Sequence, residues 1–125
     1  MGRTVIAVVE DMLFAAKIRA TASHLDVTLR SVRNAETLLK VAHESAADLI
    51  IVDLHAANVD PVAVAKALKS DEQLNSIRLL GFFSHVRVDL QKAAVAAGYD
   101  VVIPRSVFSR DLAEILEGKS GGVNS

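Results

Sequence analysis

Short apolar runs alternate with longer amphipathic stretches along the whole chain. Thr4-Val5-Ile6-Ala7-Val8-Val9, Val27 to Val32, Leu49-Ile50-Ile51-Val52, Ile77 to Phe82 or Phe83, and Val101-Val102-Ile103 read as five strands. Such short runs, rich in β-branched residues, fit the buried strands of a parallel sheet. Between them, apolar residues recur at helical spacing. A helix from Asp11 gathers Phe14, Ile18, Ala22 and Leu25 on one face. A second, capped by Asn34, carries Leu38, Val41 and Ala42 on one side. Asp60-Pro61 supplies an N-cap followed by proline at the first helical position, and opens a helix presenting Val64, Leu68 and Ala67. The fourth helix is expected from about Asp89 to a stop at Gly98. The last is expected from about Val107 to Glu117, with Phe108, Leu112, Ile115 and Leu116 on its inner face and Gly118 as its stop.

Five strands separated by helices imply an α/β three-layer sandwich, with right-handed crossovers and helices on both faces of the sheet. The flavodoxin-like (βα)5 arrangement fits, with a parallel five-stranded sheet in order 2-1-3-4-5 and strands one and three adjacent at the switch point. The length of 125 residues suits one domain, expected over residues 1–118. Residues 119–125 are Gly/Ser-rich and expected to form a flexible tail.

The chemistry lies at the strand ends. The first strand runs into Glu10-Asp11 and the third into Asp53. Ligands of open α/β sheets bind in the crevice beyond the carboxyl ends of the strands. Three carboxylates meeting there repel one another unless a cation or a basic side chain sits among them. The cluster therefore predicts a hard cation such as Mg²⁺, or a compensating basic group. The same rim receives Phe83-Ser84-His85 from strand four and Pro104-Arg105-Ser106 from strand five, so Arg105 is the available counter-charge. Plainer roles compete with these. Asp11 suits a helix cap, Arg105 an ordinary surface position, and His55 and His85 two solvated loop histidines rather than ligands of a transition metal.

Composition removes several classes. A net charge of −1 without a basic run leaves no footprint for nucleic acid. The chain has no cysteine for disulfides or thiolate sites, and no apolar stretch of the ~18 residues a membrane span needs. A strand begins within three residues of the N-terminus, so no signal peptide is expected and the location should be cytoplasmic. Glycine-rich phosphate loops are absent, no Ser-His-acid order suggests a hydrolase, and 4% aromatic content counts against a flavin site.

With these residues placed, the chain resembles the receiver domain of two-component response regulators, the CheY-like family, over residues 3 to 117. Glu10 and Asp11 match its acidic pair, Asp53 its phospho-acceptor, and Asp60 an acid seven positions further on. The resemblance implies that Glu10, Asp11, Asp53 and the carbonyl of His55 hold Mg²⁺. It implies that Asp53 takes a phosphoryl group from a histidine kinase, a phosphotransfer protein or a small phosphodonor, without further enzymatic turnover. Ser84 would be the hydroxyl residue at the end of strand four, although counting back from Gly98 puts Phe83 there.

Departures from the family pattern are concentrated on the switching half. Arg105 replaces its lysine, Ser106 follows where a proline is usual, Val102 stands at the aromatic switch position, and Ala56-Ala57 replaces Met-Pro. Arginine is a planar fork and does not substitute freely for lysine's mobile point charge. These departures resemble atypical or pseudo-receivers. The expected role is that of a stand-alone receiver signalling through a downstream protein partner, or through a homodimer on the helix 4–strand 5–helix 5 face. That face would include Val88, Gln91, Val95, Val101, Ile103 and Phe108. A phosphorylation-independent interaction module and a small-ligand-binding or enzymatic flavodoxin-like domain are the alternatives.

Overall fold

The computed structural model describes residues 2–84 and 87–119. Its sheet contains β1 (Arg3–Val8), β2 (Val27–Val32), β3 (Leu49–Asp53), β4 (Arg78–Phe83) and β5 (Val101–Pro104). All neighbouring strands are parallel, in the order β2-β1-β3-β4-β5. The helices are α1 (Met12–Ser23), α2 (Ala35–Glu44), α3 (Pro61–Lys69), α4 (Val88–Ala97), α5 (Arg105–Arg110) and α6 (Leu112–Glu117). The flavodoxin-like order expected from the sequence is therefore the observed one.

β3 lies at the centre and all five of its residues are buried. Its alternate side chains serve two cores. Ile50 and Val52 join Ile6 and Val8 of β1 in the core beneath α2, α3 and α4. Leu49 and Ile51 join Val5 and Ala7 in the core beneath α1, α5 and α6. A fully buried aliphatic or phenyl side chain contributes about 1.5–3 kcal/mol, so these two clusters are the main source of stability. Local signals agree with the packing. Asn34 and Asp60 cap α2 and α3 through their side-chain oxygens, and Gly98 and Gly118 end α4 and α6 with φ of 119° and 82°. Gly81 allows β4 to pass close to its neighbours, because a Cβ there would lie 2.8 Å from Leu54 Cδ2.

Two expectations need correction, the last helix and the docking face. The last helix starts at Arg105 rather than Val107 and is interrupted at Asp111, giving two six-residue pieces. Pro104 supplies extended backbone immediately before the first turn, so the helix starts directly after the strand. Helix α4 starts at Val88 and stops at Gly98, in line with the expected helix from about Asp89. The expected docking face is also smaller. Phe108 is fully buried, stacked on Phe82 with ring centroids 4.8 Å apart, and Val101 and Ile103 point into the same core. Only Val88 and Val95 of that set are exposed large apolar residues. Within the expected tail, residues 120–125 lie outside the described residues, as does His85.

Candidate functional site

The carboxyl ends of β1 and β3 are adjacent, with Val8 paired to Val52, so Glu10, Asp11 and Asp53 leave the sheet beside one another. Each acid is anchored differently. Asp53 closes β3 next to Phe82 and is 7% exposed. Its Oδ1 accepts the His55 backbone N–H at 2.9 Å. Burial pushes its carboxyl above the usual range, and the His55 N–H and the Arg105 charge oppose that shift only in part. Glu10 is exposed and crosses to the β3–α3 loop, where its Oε1 accepts the Ala57 N–H at 3.1 Å.

Asp11 has two functions at once. Its Oδ1 caps α1 by accepting the Leu13 and Phe14 N–H groups at 2.9 and 3.1 Å. Its Oδ2 accepts Arg105 Nη2 at 3.1 Å. The capping N–H of Phe14 and then the Arg105 hydrogen bond hold this carboxyl below the usual range. The helix-cap role and the counter-charge role are thus both present in the fold.

Arg105 is fixed from a second direction. Its guanidinium carbon lies 3.9 Å from the centroid of the Phe14 ring. That geometry is a cation–π contact, and it suits the flat guanidinium better than an ammonium. Phe14 in turn packs edge-on against Phe82, at 5.4 Å between centroids, and against Phe108 at 5.8 Å. Lys17 Nζ also donates to Ser109 Oγ, a second tie between α1 and α5. Sequence reasoning placed Phe14 in the core but missed it as the platform for Arg105. The available signal was its position three residues after Asp11 on the face that turns inward.

Strand four supplies a bulky residue to this rim. Phe83 is the last residue of β4, paired with Pro104, and its side chain is buried in the core beneath α2–α4. Ser84 follows the strand and is exposed.

The arrangement does not gather the acids around a cation. Among the described residues, no group of three or more His, Asp or Glu side chains is placed to hold a metal ion. Both oxygens of Asp11 already accept protein donors, and one of them faces a fixed positive charge. A cation bound at Asp11 Oδ2 would have to share that oxygen with Arg105 or displace it.

No protein-family model and no curated protein matches the chain in sequence. Solved structures match it in fold. The signal receiver domain of a signal transduction histidine kinase from Syntrophus aciditrophicus superposes with a TM-score of 0.81 at 18% identity, covering 94% of this chain and 89% of that one. The phosphorylated cyanobacterial phytochrome response regulator RcpA gives 0.79 at 19% identity, covering 100% and 96%. The signal receiver domain of a DNA-binding response regulator from Colwellia psychrerythraea 34H gives 0.77 at 15% identity, covering 92% and 98%. The chain has the receiver-domain fold. Within this receiver fold, Asp53 ends the central strand, and Arg105 starts the helix after the last one. No helix among the described residues is long and apolar enough to cross a membrane.

Proposed function

We propose that this chain is a receiver-like signalling module of a two-component system, in which the acidic rim is neutralised by its own Arg105 and output passes through protein contacts. The observation that carries this reading is the double engagement of Arg105, by Asp11 Oδ2 at 3.1 Å and by the Phe14 ring at 3.9 Å. A basic group already in place removes the repulsion that would otherwise recruit a cation. Phosphoryl transfer needs a metal and a mobile positive charge to spread the charge developing on the transferred group. With Arg105 fixed to Asp11, transfer to Asp53 is slow, and Mg²⁺ binds weakly in competition with the guanidinium. A histidine kinase or phosphotransfer protein is the upstream partner class. Val88 and Val95 on α4, 54% and 59% exposed, are the apolar part of the surface offered to a downstream protein or a second copy.

Intact mass after incubation with acetyl phosphate and Mg²⁺ tests the reading. The expected result is a small fraction carrying one phosphate, absent in Asp53→Asn and larger in Arg105→Lys. Rapid stoichiometric modification of the wild type would overturn it.

A further inference from the structure

Beside the acidic rim, on the side of α1 away from Arg105, the fold leaves an open cleft of about 330 Å³. That size falls at the lower end of the range for small-molecule sites, roughly 300–1,000 Å³. The cleft exists because small side chains face each other where α1 crosses the edge strand. Ala15 of α1 and Ser31 of β2 line this gap and also a separate, much smaller cavity bounded by Ala7 and Ile18. Its floor is apolar, formed by Val8, Val9, Val32 and Ala56. Its rim carries Arg19 and Arg33, and neither makes a hydrogen bond or ion pair among the described residues. Glu10 also reaches the mouth, but its Oε1 is engaged by the Ala57 N–H. Two uncommitted guanidinia against one carboxylate leave the cleft positive, beside a rim that is otherwise acidic.

We infer that this cleft binds a small organic anion with an apolar body. The body would lie on the Val8–Val9 floor, and the acidic head would take the two arginine forks, whose geometry matches carboxylate and phosphate. Ser31 adds a hydroxyl at the junction. The inference stands on the cleft alone and does not depend on whether Asp53 accepts a phosphoryl group.

The test uses the full chain titrated with phenyl phosphate and with benzoate, and with benzyl alcohol as the uncharged control. Binding is followed by amide chemical shifts and by melting temperature. Saturable shifts centred on Ala15, Ser31 and Arg33 are expected at about millimolar concentrations of an anion. A rise in melting temperature should accompany them, because the ligand binds the folded form. Binding of either anion supports the site, and the stronger of the two identifies the preferred head group. The Arg19→Ala/Arg33→Ala double variant should bind at least tenfold more weakly without losing its fold, since both residues are exposed. Ser31→Leu, which fills the gap, should abolish binding. The inference fails if no saturable shifts appear at the cleft, if the control binds as well as the anions, or if the double arginine variant binds like the wild type.

Discussion

On the flank of α1 that faces β4 and α5, the Phe14 ring packs at a steep angle against the stacked pair of Phe82 and Phe108, and Arg105 lies over the Phe14 ring. On the flank that faces β2, Ala15 and Ser31 fill almost nothing, and Arg19 and Arg33 have no hydrogen-bond or ion-pair partner among the described residues. Residues one apart on a single helical turn thus produce a closed, charge-matched side and an open, unmatched one. The contrast shows how little sequence separates a rigid part of a site from an adaptable one. Aromatic bulk holds a cation at a defined place, whereas its absence one position later leaves an open cleft.

Removing the filling should have the largest effect. Phe82→Ala would empty the centre of the closed flank, where the side chain is fully buried. A loss of about 3–5 kcal/mol is expected for a phenylalanine truncated in a packed core. Urea unfolding monitored by circular dichroism would measure it, and a loss below about 1 kcal/mol would mean that this flank is no better packed than the open one.

A smaller effect, with the opposite sign, is expected at Asp53. Burial raises its folded-state carboxyl above the ordinary 3.8. Between 3.8 and that raised value the folded protein holds a proton that the unfolded chain has lost. The stability contributed by this group is fully present below 3.8 and is lost as pH rises through the folded value. Asp53→Asn removes the charge and should raise the melting temperature at neutral pH, with the gain shrinking as pH falls toward 3.8. An equal gain at every pH would show that solvation of the charge is not the cause.

Arg105→Ala should have the smallest effect on stability. Its ion pair is part-exposed, at 33% and 42% for the two side chains. Together with the ring contact, a loss of about 1 kcal/mol is expected. The diagnostic change is in cation response. Without the guanidinium the acids repel more strongly, so millimolar Mg²⁺ should raise the melting temperature of Arg105→Ala more than that of the wild type. Identical responses would show that Arg105 and a cation do not compete for the same carboxylates.

The fold was legible because the strands carry a simple signal. Runs such as Leu49-Ile50-Ile51-Val52 can be satisfied only between two layers of helix, and Asn34, Asp60, Gly98 and Gly118 mark helix ends by chemistry that is local in sequence. The adjacency of Glu10, Asp11 and Asp53 followed from strand order alone. The engagement of Arg105 by Asp11 was within reach of the same argument, since β5 ends on that rim. Its stacking on Phe14 was not, because an inward aromatic residue reads as core whether or not a cation lies on it. The interruption at Asp111 was hidden for a similar reason. Phe108, Leu112, Ile115 and Leu116 keep a helical spacing through the break, so the apolar pattern gives no sign of it. The β2–α1 cleft depends on the meeting of two small residues distant in sequence, and a pattern along one chain does not display a gap.

The shared use of Asp11 makes the start of α1 a gauge of what happens on the rim. One carboxylate holds the Leu13 and Phe14 amides with one oxygen and Arg105 with the other. Anything that draws Arg105 away, or places a metal or a proton on Asp11, changes the strength of that grip on the first helical turn. Amide hydrogen exchange at Leu13 and Phe14 therefore reports the occupancy of the acidic rim without any label in the site, and a partner bound to the exposed side chains of Met12 and Leu13 would sense the same change directly.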